Sequence, residues 1–138
     1  MEIAISEKHG SVPVTVIALR GALDGSSYEK FVAEAQRLYD AGSRNLLLDM
    51  TEMTFLSSAG IAALHRTARI FRGEDTSTLD EGWAAMRALG SEREGGYTVQ
   101  KHVRLLNPGE RIQDVLDTVG FKAFFAIYTD PAIAIASF

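Results

Sequence analysis

Asn45-Leu46-Leu47-Leu48-Asp49 is a short, unbroken apolar run between polar residues, the pattern of a strand covered on both faces. Upstream, Val12 to Leu19 is rich in β-branched residues and apolar on both faces in its second half, which marks a second central strand. Between the two lies a helix. Tyr28, Phe31, Val32, Ala35, Leu38 and Tyr39 recur at helical intervals. Ser26 stands three residues before Glu29, the spacing of a capping box, and Gly42 marks the stop. A strand, a helix and a strand with few residues between them predict a crossover unit, parallel pairing and an α/β fold.

The flanking sequence extends this unit. Ile3 to Glu7 alternates apolar and polar residues, and Lys8-His9-Gly10-Ser11 supplies a turn, so a hairpin with Val12–Leu19 is expected. Pro13 is compatible with a strand beginning. Gly21-Ala22-Leu23-Asp24-Gly25 breaks the strand pattern. After Asp49 a short connection leads to Thr54-Phe55-Leu56-Ser57-Ser58-Ala59-Gly60 and a second helix. Its apolar face is Ile61, Leu64, Ala68 and Phe71, with His65, Arg66, Arg69 and Arg72 on other faces. The three arginines form a basic stripe, read as a solvated face or a docking strip for an acidic surface.

Val103 to Leu106 reads as a strand. Asn107-Pro108-Gly109-Glu110 then resembles a helix start, with Asn107 as cap and Pro108 at the first helical position. Ile112, Val115, Leu116 and Val119 are its buried face, and Gly120 ends it. Phe124 to Tyr128 is a last strand, and Asp130-Pro131 opens a terminal helix. Residues 73–100 do not fit this layout. Their polar flanks predict an inserted, flexible excursion between the second helix and the following strand, with room for a short helix around Leu79, Trp83 and Met86. The expected architecture is a mixed β-sheet of about five strands with about four helices.

Composition narrows the function. A chain of 138 residues fits a single domain, 1–138. The absence of cysteine excludes disulfides and thiolate zinc sites. A net charge of −4 argues against direct binding of nucleic acid. No apolar run approaches the roughly 18–20 residues that cross a bilayer, so membrane insertion is not expected. Met1-Glu2-Ile3 has neither the basic start nor the apolar stretch of a signal peptide, and a cytoplasmic protein is expected. No spacing suggests a metal site or a Walker-type phosphate loop, and no cofactor is expected. Leu56 occupies the place where a Gly-x-Ser-x-Gly nucleophile elbow requires glycine, and His9, His65 and His102 are scattered. No catalytic residues are therefore assigned, and the chain is not expected to be an enzyme.

Ser58 is the most informative residue. Small residues opening a helix leave backbone N–H groups pointing outward, and such a helix start favours negative charge, including a phosphoryl group on a side chain there. The plain alternative is that Ser57 or Ser58 is simply a helix cap.

Gly21-Ala22-Leu23-Asp24, the strand ending in Asp49, and Thr54-Phe55-Leu56-Ser57-Ser58-Ala59-Gly60-Ile61 together resemble a STAS domain of the anti-sigma factor antagonist family. Leu105-Leu106-Asn107-Pro108 and Gly120-Phe121 match later steps of that family. The resemblance implies a single STAS-type domain. It also implies that Ser58 is phosphorylated by an anti-sigma factor that is a serine kinase, and dephosphorylated by a PP2C-type phosphatase. Asp24, Ser57, Ala59, Gly60 and Ile61 are then the surroundings of the phosphosite and the partner-binding surface. Two positions depart from the family's frequent Asp-Ser-Ser-Gly: Ser57 replaces its aspartate and Ala59 its second serine. The implied function is partner switching. Its alternative is a non-switching STAS scaffold in a stress-signalling assembly or a lipid or anion transporter.

Overall fold

The computed structural model describes residues 1–76 and 100–138. In chain order these form β1 (Glu2–His9), β2 (Pro13–Leu23), α1 (Tyr28–Asp40), β3 (Leu46–Leu56), α2 (Ser58–Phe71) and β4 (Gln100–Leu106). α3 (Glu110–Thr118), α4 (Phe121–Phe124), β5 (Phe125–Tyr128) and α5 (Pro131–Ala136) follow. The sheet runs β1-β2-β3-β4-β5, with β1 antiparallel to β2 and every later pair parallel. The predicted hairpin and the β2–α1–β3 crossover are both present.

The Leu46–Leu48 run explains the layering. Leu46 and Leu48 join Ile17, Leu19, Phe31, Leu64, Leu116 and Phe124 in one core, beneath α1 to α4. Leu47 points the other way and packs with Val14, Leu106 and Ala134 beneath α5. A strand buried on both sides has no polar face, hence the unbroken run. At the far end of the core, Phe121, Phe124 and Phe125 stack edge to face and at a tilt, with centroids 4.8–5.9 Å apart. Each fully buried ring contributes about 1.5–3 kcal/mol.

Several boundaries differ from expectation, each for a local reason. β2 continues through Gly21 to Leu23, because Gly21 takes φ +99° and lets the strand bend without breaking. β3 does not end at Asp49 but runs to Leu56. Ala18 pairs with Asp49 and Arg20 with Glu52, then Gly21 with Met53 and Ala22 with Phe55, so β3 carries an extra residue at two bulges. These bulges, filled by exposed Thr51, Glu52 and Thr54, erase the alternation of a strand. The capping box at Ser26 does not form. Ser27 is the N-cap residue, and its buried hydroxyl instead donates to the Ala22 carbonyl (2.9 Å) and accepts from Asp24 N–H (3.0 Å). Asn107 is not a cap either. It adopts φ +52° and donates its N–H to the Tyr128 carbonyl (2.7 Å), and the helix begins at Glu110 with Gly109 as N-cap. Phe124, expected to open the last strand, instead closes a short helix, α4.

The margins of the excursion belong to the fold. Glu74 pairs with Arg69 (2.9 Å) and Arg72 (3.0 Å), and the buried Thr76 hydroxyl accepts from Arg66 Nε (3.1 Å). The arginine stripe is thus engaged by its own chain. Gln100, buried at the start of β4, donates from Nε2 to the Ala68 carbonyl (2.8 Å). The expected short helix around Trp83 lies outside the described residues. His65 is buried against the Phe124 ring, and α2 buries residues on nearly every side.

α2 begins in close contact with the end of β2. A Cβ added at Gly60 would overlap the Leu23 carbonyl oxygen and stand 2.7 Å from Leu56 Cδ1. Gly60→Ala is expected to lower unfolding stability by about 1–3 kcal/mol through overpacking. Urea unfolding followed by circular dichroism checks this, and an unchanged midpoint would refute the close approach.

Candidate functional site

The end of β3 delivers Phe55, Leu56 and Ser57 to the start of α2. Leu56 turns into the core, whereas Phe55 is 54% exposed. Ser57 has extended backbone angles and is the N-cap; its hydroxyl oxygen accepts from Gly60 N–H (3.2 Å). Ser57 N–H in turn donates to the Leu23 carbonyl (3.1 Å), which ties the helix start to β2.

Ser58 is therefore the first helical residue, not the cap. It is exposed, and its hydroxyl has no hydrogen bond among the described residues. The N–H groups of Ser58 and Ala59 likewise have no acceptor among them, as expected for the first turn of a helix. The first turn carries no acidic side chain. The positive end of the helix dipole is left uncompensated beside an exposed hydroxyl, an arrangement that favours an anion on that side chain. Ala59 is half-buried, and Gly60 and Ile61 are buried, so these last two act by seating the helix.

Asp24 lies in the loop that follows Leu23. Its Oδ1 accepts from Ser26 Oγ (2.6 Å), Ser26 N–H (2.9 Å) and more weakly from Ser27 Oγ (3.4 Å). These bonds, led by the Ser26 hydroxyl, hold its carboxyl below the ordinary value of 3.8. Asp24 is thus ionised at neutral pH, and the hydrogen bonds described for its side chain run to its own loop rather than to Ser58. The backbone brings the loop and the helix start together through Leu23; Asp24 organises the loop.

Two residues at this end of the sheet were not singled out as site residues from the sequence. Ser26 is the main partner of Asp24, and Phe55 is an exposed aromatic three positions before Ser58. Ser26 was legible only as a capping serine. Phe55 carried no signal, because the bulges that expose it are invisible in the local pattern.

With this geometry in place, comparison with known proteins is direct. Residues 8–80 match the family described as Mlab, STAS domain, and the chain belongs to the STAS domain family. No curated protein matches its sequence. Among solved structures, an anti-sigma factor antagonist from Mycobacterium paratuberculosis is similar over 99% of this chain and 93% of its own, with a TM-score of 0.64 at 13% identity. The Bacillus cell fate determinant SpoIIAA, in its phosphorylated form, is similar over 92% of this chain and 93% of its own, with a TM-score of 0.48 at 20% identity. The first of these likenesses extends the shared fold over the whole sheet.

Two measurements test the division of labour at the helix start. Ser57→Ala, which removes the cap, should cost about 0.5–2 kcal/mol of stability, whereas Ser58→Ala should leave stability within about 0.5 kcal/mol. Equal losses in chemical denaturation would contradict the assignment of the cap. For Asp24 the sign follows from its lowered value. Its contribution to stability is complete above 3.8, the unfolded value, and is lost as pH falls through the lower folded value. An NMR titration of the Asp24 carboxyl should show a midpoint below 3.8, moving up in Ser26→Ala; a midpoint unmoved by that substitution would remove Ser26 as the cause.

Proposed function

We propose that this protein is an anti-sigma factor antagonist that works by partner switching, with Ser58 as the phosphorylated residue. Unmodified, it binds an anti-sigma factor that is also a serine kinase; phosphorylated, it releases that partner, and a PP2C-type phosphatase resets it. The observation that carries this reading is the exposed Ser58 hydroxyl at the first position of α2, relieved of capping by Ser57. Phe55, exposed three positions before it in the chain, offers apolar area of the kind that anchors protein interfaces. The chain itself performs no catalytic step in this scheme, and it acts in the cytoplasm.

Magnitudes favour a switch of binding rather than of folding. A phosphoryl group adds about −1.5 to −2 charges at neutral pH. At its own helix start that charge gains about 0.3–1 kcal/mol, so the domain stays folded. Burying the same group, unpaired, against a partner costs several kcal/mol, and about 1.4 kcal/mol is already a tenfold change in affinity.

Intact-mass analysis after incubation with ATP and anti-sigma-type serine kinases should show the gain of one phosphate, abolished in Ser58→Ala. The phosphoprotein should bind the kinase partner at least about tenfold more weakly, with an unchanged circular dichroism spectrum. Equal affinity of the two forms would sink the switch. An unmodified chain that still holds its partner would point to a constitutive scaffold.

A further inference from the structure

β1 is an edge strand of eight residues, and no described residue pairs with its outer side. Thr15 N–H donates to the Asn45 carbonyl (2.9 Å), so Thr15 turns its peptide groups toward β3. Alternation then turns those of Val16 toward β1, where Val16 stands opposite Ser6. Ala4, Ser6 and Lys8 therefore bond inward to β2, and Ile3, Ile5 and Glu7 point their N–H and C=O groups off the sheet.

We infer that this edge is a self-association surface, and that its occupant is the β1 strand of a second copy in antiparallel register about Ile5. In that register every outward donor and acceptor of Ile3, Ile5 and Glu7 meets one from the other copy. Ile5, 39% exposed in the single chain, faces Ile5 of the second copy. Ala4 faces Ser6, small against small. Glu2, which stands 3.9 Å from Arg20 in its own chain, faces Lys8, twice by symmetry, while Glu7 faces Ile3. Sliding by two residues, the smallest shift that keeps outward groups paired, loses both Glu2–Lys8 pairs in either direction; one direction sets Ile5 against Ile3, the other against Glu7. Of the charges that usually blunt an exposed edge, Glu2 and Lys8 stand at the ends of this strand and become partners, while its centre, Ala4-Ile5-Ser6, is uncharged. Ser58 lies past the end of β3, two strands in from this edge, so the surface is separate from the proposed phosphosite.

Sedimentation velocity of the full chain should show a monomer–dimer equilibrium across the micromolar to millimolar range. Lys8→Glu should weaken association by about tenfold, and the double swap Glu2→Lys with Lys8→Glu should restore most of it. Ile5→Pro should abolish the dimer with the circular dichroism spectrum unchanged, because the N–H it removes makes no bond to any described residue. A chain that stays monomeric throughout overturns the inference. So does a dimer indifferent to Lys8→Glu, or one that survives Ile5→Pro in a folded protein. If Ile5→Pro perturbs the fold, the charge reversal and its restoring swap decide alone.

Discussion

The Leu23 carbonyl at the end of β2 is the point on which the site depends. It accepts the Ser57 N–H, and the Gly60 backbone lies against it so closely that a side chain there would overlap it. These two contacts fix where α2 begins and in which direction it leaves the sheet. The position of the cap follows, because Ser57 is held where its hydroxyl can reach Gly60 N–H. The exposure of Ser58 follows as well, since the next residue after a tethered cap starts the helix on its outward side. β3 reaches this contact only by absorbing extra residues at two bulges, which bend its second half along β2. The glycine, the bulges and the exposed serine are one arrangement.

Charge around this arrangement is divided in a way that keeps the helix start open. Asp24 directly follows Leu23, yet its carboxylate is occupied by Ser26 and Ser27. Glu52, on the bulged part of β3, is paired with Arg20 across to β2. The arginines of α2 are drawn to Glu74 and Thr76 at the far end of the helix. Among the described residues, the first turn of α2 thus keeps free N–H groups without a fixed counter-charge, and a phosphoryl group there would be stabilised by the helix dipole.

The sequence made the central layer of this fold readable, and the reason is periodicity. Leu46-Leu47-Leu48 has no polar face because α2 and α5 cover opposite sides, and the apolar spacing of α1 and α2 reports the shared core between them. Where geometry departs from period, the local pattern no longer reports the structure. The second half of β3 has a polar, bulged register that resembles a loop. Asn107 adopts a left-handed conformation that keeps it on the sheet, although Asn-Pro looks like a helix start. Ser26 has the spacing of a capping box, but Ser27 is pulled inward by Ala22 and Asp24 instead. At the candidate site, the family resemblance singles out Ser58, which the structure places exposed at the first position of α2. Its freedom from capping was not legible, because two adjacent serines at a helix start cannot be told apart without the backbone angles.

That distinction changes how the departure at Ser57 should be weighed. An aspartate at this cap would accept from Gly60 N–H as the serine does, but it would also place a full negative charge beside the acceptor hydroxyl. Ser57 keeps the hydrogen bond and omits the charge. Its absence withdraws a group that could help a kinase handle the Ser58 proton. It also withdraws a like charge that would repel the phosphoryl group once attached, leaving the helix dipole to act alone. The substitution therefore acts in opposite directions on the two halves of the proposed cycle: it gives no help to phosphate transfer, and it favours the phosphorylated state after transfer. In the proposed cycle, the balance between kinase and phosphatase, more than the stability of the fold, would set how long the partner stays released.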